Sequence, residues 1–296
     1  MAFPSPWNRA LHGLAPLDAG AVSIVVAVHV RNPRTIHRLL AVLDQQCYAG
    51  ALEVLVCDDG SPDPLRLEDT CRKWHARYLR VERPAGSEGI YQRARTANAG
   101  IREARGRYVL LLDQDTFLVP YHVQNCVNLL AFHGDRVVCH GQRAGIGELL
   151  ECDQRTPFSR FHLDLPRVLA LLQQVDRPEP VPFHGWGQWT DVLGHNLFVA
   201  KSLLEEVGFL DEGYVGWGED DRDLVYRLHR AGCLFAHMQQ LRVYHVEHPR
   251  PALWDRPDLF RRNVVRFFQK FPETREERRD AYQSVQDELS RAEPAV

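Results

Sequence analysis

Two aspartates, one residue apart, close a run of strand formers in RYVLLLDQDT (107–116). Residues i and i+2 of an extended chain point to the same side. Asp113 and Asp115 therefore bring two carboxylates together, which repel each other unless something positive lies between them. Alone, such a pair reads equally well as solvated loop acids. At a strand tip it can also hold a divalent cation and leave open positions for the phosphate oxygens of a nucleotide diphosphate. Further on, YHVEH supplies His245 and His248, spaced so that both imidazoles reach one ion from a helix turn or a bent loop. Carboxylate plus imidazole favours Mn2+, or a similar transition ion, over Mg2+. With 14 histidines in the chain, a structural role for this pair is the competing reading.

A third constellation is GYVGWGEDDRDL, where Glu219, Asp220, Asp221 and Asp223 crowd together behind Gly216-Trp217-Gly218. They precede an apolar helical pattern, so capping against the helix dipole accounts for one or two of them. Four exceed that need. Crowded carboxylates raise one another's proton affinity, which suits a general base. The flanking glycines and Trp217 let a sugar ring approach and stack. Trp186 and Trp189 are further stacking candidates for sugar or acceptor, with packing as the alternative, and Asn196 is a further acceptor candidate.

The elements that must position these groups alternate. AVSIVVAVHV (21–30) reads as a buried strand, TIHRLLAVLDQQ (35–46) as a helix, LEVLVCDDGS (52–61) as a second strand, 64–77 and 86–105 as helices, and RYVLLLDQDT as a third strand. This order argues for a parallel, doubly wound α/β sheet. Ligands of open α/β sheets bind outside the carboxyl ends of the strands, so three polar tips converge on one edge: His29 to Asn32, Asp58 to Ser61, and Asp113 to Asp115. Past about residue 140 the alternation weakens: 139–154 and 177–191 read as loop-rich, FRRNVVRFFQKF as a helix, and the last 25 residues as a peripheral helix or frayed tail. Without repeats or low-complexity linkers, one continuous domain over 1–296 is expected.

Bulk properties exclude several classes. Of 296 residues, 36 are basic and 39 acidic, a net charge of −3 that gives no reason to expect a nucleic-acid or anionic-membrane partner. Seven cysteines with no C-x-x-C, several inside apolar runs, read as reduced thiols in a cytoplasmic protein. The N-terminal stretch lacks the order of a signal peptide, and no apolar run is long enough for a transmembrane segment. The first strand is followed by VRNPRT rather than G-x-G-x-x-G, which removes the pyrophosphate cradle of a dehydrogenase.

In order, SIVVAVHVRNP, VLVCDDGSPD, GRYVLLLDQDT, LGHNLFVAKSLLEEVGFLDE and GWGEDDRDLVYRLHRAG resemble the family-2 glycosyltransferases of GT-A fold, over roughly residues 21 to 248. The second half looks like the galactosyltransferase-type C-terminal segment of β-1,4-galactosyltransferases and polypeptide N-acetylgalactosaminyltransferases. The resemblance implies a Rossmann-like, mostly parallel sheet flanked by helices: a nucleotide-binding half over about 20–120, an acceptor and catalytic half over about 121–250, and C-terminal helices over about 251–296. It implies a hexosyl- or N-acetylhexosaminyltransferase that uses a nucleotide-sugar donor, a UDP-sugar above all, with Mn2+ or Mg2+. Val28 and His29 then border the base, and one of Asp58 and Asp59 contacts uracil. Arg93 or Arg95 lies near the diphosphate. Asp113 takes the ribose side, with Gln114 beside it in the donor site, and Asp115 is the direct metal ligand, with His245 and His248 closing the metal site. Asp220 and Asp221 fall on the family's acidic pair, with Asp221 as base; a shift of one residue promotes Glu219 and Asp220 instead. Arg222 inside this motif, and Thr96-Ala97-Asn98 in place of Ala-Arg-Asn, depart from the family pattern. An inverting transfer is expected, although the N-acetylgalactosaminyltransferases retain configuration. The acceptor is a small molecule, a saccharide or a protein, and a homodimer is compatible with the chain.

Two other classes compete. A nucleotide-sugar nucleotidyltransferase shares the sheet and the metal-diphosphate site but needs a Gly-rich basic loop after the first strand, and HVRNPRT has no glycine. A non-catalytic binding module would keep the fold and lose the acids, all of which are present.

Overall fold

A computed structural model of the chain describes residues 20–30, 32–62, 66–87, 89–150, 164–175, 186–247 and 256–292. Their strands are β1 (Val22–Val28), β2 (Leu52–Asp58), β3 (Arg77–Arg80), β4 (Tyr108–Asp113), β5 (Thr116–Leu118), β6 (Val137–Gly145), β7 (Trp186–Gly187), β8 (Asn196–Ala200) and β9 (Leu234–His245). The helices are α1 (Arg34–Leu43), α2 (Leu67–Lys73), α3 (Arg93–Glu103), α4 (His122–His133), α5 (Ile146–Leu149), α6 (Leu165–Val175), α7 (Lys201–Glu206), α8 (Asp220–Arg230), α9 (Pro257–Lys270), α10 (Arg279–Gln283) and α11 (Gln286–Ala292).

All nine strands join one sheet in the order β3-β2-β1-β4-β8-β6-β9-β5, with β7 paired to β9. β3, β2, β1 and β4 run parallel, as the β-α-β order requires. β1, β2 and β4 are largely apolar because helices cover both faces of such a sheet; Ile24, Val56 and Leu110 are fully buried. In register, Val28 lies beside Asp58 and Ala27 beside Asp113, so the polar tips of three strands emerge at one edge as expected.

The sequence reading goes astray in four places. The helix expected over 86–105 begins only at Arg93, and the end of the segment read as helix over 64–77 enters β3. Most of the loop-rich segment 139–154 that is described is strand: β6 runs parallel to β9, and the ladder slips register between Gly141 and Arg143. Gly141 is required there, because a Cβ would lie 1.5 Å from the Leu241 carbonyl oxygen. Finally, the stretch read as a peripheral helix or frayed tail carries α10 and α11 and buries Val285 and Leu289 in the core.

Asn98 staples the two halves. From α3 its amide donates to the Leu210 carbonyl (2.9 Å) and to Glu212 (2.9 Å), while its Oδ1 accepts from the Leu210 amide (3.0 Å). Asn98→Ala strands two buried main-chain groups, so unfolding stability should fall by about 1–3 kcal/mol, read as a lower urea midpoint at unchanged slope. A midpoint equal to that of the parent would show that the staple contributes nothing.

Candidate active site

A cleft of about 370 Å3 opens at the carboxyl edge of the sheet, walled by Tyr91, Arg93, Asp113, Gln114, Asp115, Arg143, Leu193, Gly194, His195, Trp217 to Arg222, His245, Phe260 and Arg278. β4 delivers Asp113 to its floor, and the turn into β5 carries Gln114 and Asp115. β9 pairs with β5 so that His245 lies opposite Thr116, which brings His245 Nε2 to 3.6 Å from Asp115 Oδ1. Loss of water first, then the charges of Asp115 and Asp221, push the Asp113 carboxyl up to about 6, against the opposing pull of Arg93 and Arg143.

The fourth wall is the head of α8. Gly216 (φ 81°), Gly218 (φ 100°) and Glu219 (φ 69°) turn the chain through left-handed conformations, and a Cβ on Gly218 would meet the Phe260 ring at 2.7 Å. The turn throws Trp217 outward, 47% exposed, onto Phe260 (centroids 5.1 Å apart, planes at 26°). From α9, the Asn263 amide is shared by the carbonyls of Val215, Trp217 and Gly218 at 3.0–3.2 Å. The acids that follow sit in the first turn of an 11-residue helix, where its dipole favours negative charge.

Three of these four acids have cationic partners. Asp220 accepts from Arg93 Nη1 at 2.7 Å. Burial raises its proton affinity, and Arg93 opposes the rise. Glu219 is clamped by both arms of Arg278, one at 2.8 Å, and Asp223 is held by Arg227 (2.5 Å), Lys270 (2.6 Å) and Tyr214 (3.1 Å). Asp221 differs: Oδ2 accepts from the Gly194 amide (2.9 Å) and Oδ1 from its neighbour's amide at Arg222 (2.8 Å). Among the described residues no cation lies within 4 Å of it.

Of the residues singled out from sequence, the cleft unites Arg93, Asp113, Gln114, Asp115, Trp217, Asp220, Asp221 and His245. His248 lies outside the described residues. The base-side group lies apart from the cleft. Val28 is buried; Asp58 is spent on the Ser61 amide (2.9 Å), Tyr78 (2.7 Å) and Arg80 (3.4 Å). Asp59, 1% exposed, is gripped by Arg83 (3.1 and 3.2 Å) and the Gln92 amide (2.8 Å); His29 Nδ1 stands 2.8 Å from the Asp59 carbonyl oxygen and 3.0 Å from Arg83. Arg95 turns away to the Glu82 carbonyl and Glu212. Trp189 is 4% exposed and bonded to Glu277 (2.9 Å) beside Tyr226, so it packs rather than lining the cleft. Trp186 stacks edge-on with His133 at the surface, and Asn196 is fully buried in β8. Sequence reasoning missed Arg83, Tyr91, Arg143, His195 and Arg278; Arg278 in particular belongs to the stretch read as a peripheral tail, and only its place beside Glu219 reveals it.

The donor set suits an open cation site better than a closed one. Among the described residues no three His, Cys, Asp or Glu side chains form a cage. Asp115 and His245 nonetheless stand side by side, Asp113 carries a raised carboxyl, and Gln114 Oε1 is buried without a hydrogen-bond partner. Few protein ligands are what a divalent ion needs when phosphate oxygens complete its shell.

The model of the glycosyl transferase family 2 matches residues 23–191, ending before the turn at Trp217. The chain is 29% identical over 245 residues to a chondroitin synthase of Escherichia coli, covering 77% of this chain and 35% of that protein. It is 28% identical over 262 residues to a validoxylamine A glucosyltransferase of Streptomyces hygroscopicus subsp. limoneus, covering 77% and 55%. It thus spans about a third to a half of these relatives. Among solved structures, a mannosyltransferase of Pyrobaculum calidifontis in complex with GDP-Man and Mn2+ superposes with a TM-score of 0.58 at 18% identity, covering 85% of this chain and 64% of that one. GalNAc-T7 with UDP, GalNAc and Mn2+ superposes at 0.61 and 15%, covering 85% and 48%. These likenesses show the fold, a mixed α/β sheet flanked by helices.

Arg93 is the counter-ion of Asp220 and lies 3.5 Å from Asp113. Arg93→Met leaves both carboxyls without it. Breaking a buried pair costs about 3–5 kcal/mol, here near the low end because Asp113 opens to the cleft. Without Arg93 both folded-state pKa values rise further above the unfolded ones, so the loss should be large at pH 7.5 and shrink at pH 5, where the acids take up protons. Urea unfolding of both proteins at the two pH values checks this; an equal loss at both would contradict it.

Proposed function

The chain belongs to glycosyl transferase family 2, and from that membership we propose that it moves a sugar from a nucleotide-diphosphate donor, a UDP-sugar, to an acceptor hydroxyl, with Asp221 as general base. The observation that carries this reading is the partition of the acids at the head of α8. Asp220, Glu219 and Asp223 are neutralised by Arg93, Arg278 and the Arg227–Lys270 pair, while Asp221 faces the cleft with backbone donors alone. Those two amides fix its orientation and leave lone pairs for an incoming O–H.

In this reading the donor lies across the tips of β1, β2 and β4, with its base toward His29 and Asp59. Asp59 is sealed by Arg83, so a base reaches it only when that guanidinium swings aside. A divalent ion, Mn2+ ahead of Mg2+, would be held by Asp115 and His245, with Asp113 on the ribose side, and would supply Lewis-acid stabilisation to the departing diphosphate. Tyr91 and Trp217 flank the space above Asp113. Asp221 takes the proton of the acceptor hydroxyl as its oxygen attacks the anomeric carbon, and in-line placement of donor and acceptor removes much of the entropic barrier. The course is inverting. The turn after β1 offers no glycine for the phosphates, and the family model supports transfer rather than nucleotidyl exchange. Among the described residues no helix is long and apolar enough to cross a membrane, and the described cysteines are unpaired, which suits a cytoplasmic setting.

Asp221→Asn keeps the shape but cannot take a proton. UDP affinity in Mn2+ should persist while transfer falls by about 10²–10⁴-fold, with the anomeric configuration of the parent's product read by NMR. Near-normal turnover, or a retained configuration, would remove Asp221 from this role. Excess EDTA should abolish release of UDP from a UDP-sugar and Mn2+ should restore it more fully than Mg2+; full activity in EDTA would show that Asp115 and His245 serve another purpose.

A further inference from the structure

Four arginines line the cleft, and three are accounted for. Arg93 donates to Asp220 and to the Gly194 carbonyl (2.8 Å), Arg278 to Glu219, and Arg222 to the Thr190 carbonyl (2.8 Å). Arg143 is exposed and, among the described residues, has neither an ion pair nor a hydrogen bond. Its place is built. It follows the register slip of β6 against β9, a device that re-aims the side chains after it, and the slip depends on Gly141 approaching the Leu241 carbonyl. Beside it His195, 4% exposed, forms part of the cleft wall with both ring nitrogens buried. Burial first, and the charge of Arg143 next, hold that imidazole down at about 4. It is therefore a neutral wall beside the guanidinium.

The stretch 193–195 runs from the base to the D-x-D strand. The Gly194 amide donates to Asp221, and the His195 carbonyl accepts from the Asp113 amide (3.1 Å). A hydroxyl presented to Asp221 must therefore belong to a molecule lying over Leu193, Gly194 and His195, on the side of the sheet formed by β8, β6 and β9. Arg143 borders that space. Asp113 feels its charge, but no described carboxylate lies within ion-pair range of this guanidinium, which gains most from a carboxylate or phosphate that it can meet with two parallel hydrogen bonds.

We propose that Arg143 forms an oxyanion-binding acceptor subsite, so that the acceptor carries a carboxylate or phosphate near the hydroxyl that receives the sugar. This rests on the glycosyltransferase reading above.

The test is calorimetric titration of the whole chain, in UDP and Mg2+, with two matched pairs: methyl β-glucuronide against methyl β-glucoside, and glycerol 3-phosphate against glycerol. The charged member of at least one pair should bind at least about tenfold more tightly, and Arg143→Ala should erase that preference while Arg143→Lys keeps part of it. The pair that responds identifies the source as a sugar acid or a phosphate. Equal binding within both pairs, no binding of either charged probe at millimolar concentration, or a preference that survives Arg143→Ala would overturn the proposal. So would a loss of UDP affinity in Arg143→Ala equal to the loss of probe affinity, because that places the guanidinium on the diphosphate. Failure of the transferase reading looks different: the parent protein would bind no UDP and release none from UDP-sugars, and the probe comparison, repeated on the protein alone, would still report on Arg143.

Discussion

Asp220 can be buried at the head of α8 because the Arg93 guanidinium lies 2.7 Å from it. Much of the cleft hangs on that contact. The same guanidinium reaches the Gly194 carbonyl and stands 3.5 Å from Asp113, so one side chain from α3 ties together β4, the 193–195 stretch and α8. Five carboxylates, at Asp113, Asp115, Glu219, Asp220 and Asp221, share these walls. Desolvating each costs several kcal/mol unless a partner compensates it. Arg278 compensates Glu219 in the same manner, and Lys270 with Arg227 compensates Asp223. The result is selective: charge that would otherwise unfold the turn is neutralised, and at the head of α8 one carboxylate, Asp221, keeps backbone donors alone among the described residues.

Compensation of this sort recruits the C-terminal helices. Arg278 reaches back over the Phe267 and Phe268 rings, its guanidinium carbon 4.6 and 5.5 Å from their centroids, before meeting Glu219. Asn263 holds the carbonyls of the GWG turn, and Phe260 gives Trp217 a surface to lie on. These residues touch the GWG turn from a segment some fifty residues away along the chain. They couple the packing of an aromatic core to the aim of a carboxylate in the cleft.

How much of this was legible in the sequence depends on the range of the interaction. The apolar runs of β1, β2 and β4 and the helix of Ile101 announce themselves by period, and the D-x-D falls at a strand tip by local pattern alone. The acids of 219–223 were legible as a cluster, but their division of labour was not, since Arg93 is 127 positions from Asp220 and Arg278 is 59 from Glu219. β6 was hidden because Gly141, which reads as loop, serves a close backbone approach to β9. Trp189 and Trp217 both sit near glycines, yet one is buried against Tyr226 and the other lies exposed on Phe260. Nothing in their own neighbourhood along the chain separates them. The pair proposed to meet the base was half legible: Asp58 and Asp59 were both candidates, and only the fold shows Asp58 spent on Tyr78 and Asp59 locked by Arg83.

The central claim is that this cleft binds a nucleotide diphosphate with a divalent ion between Asp115 and His245. The most direct measurement is a crystal structure grown with UDP and Mn2+, with anomalous scattering recorded at the manganese edge. The expected result is a single strong anomalous peak in coordinating contact with Asp115, His245 and the diphosphate, with the uracil lying toward His29 and Asp59. A peak elsewhere on the molecule, or UDP bound away from the carboxyl ends of β1, β2 and β4, would contradict it.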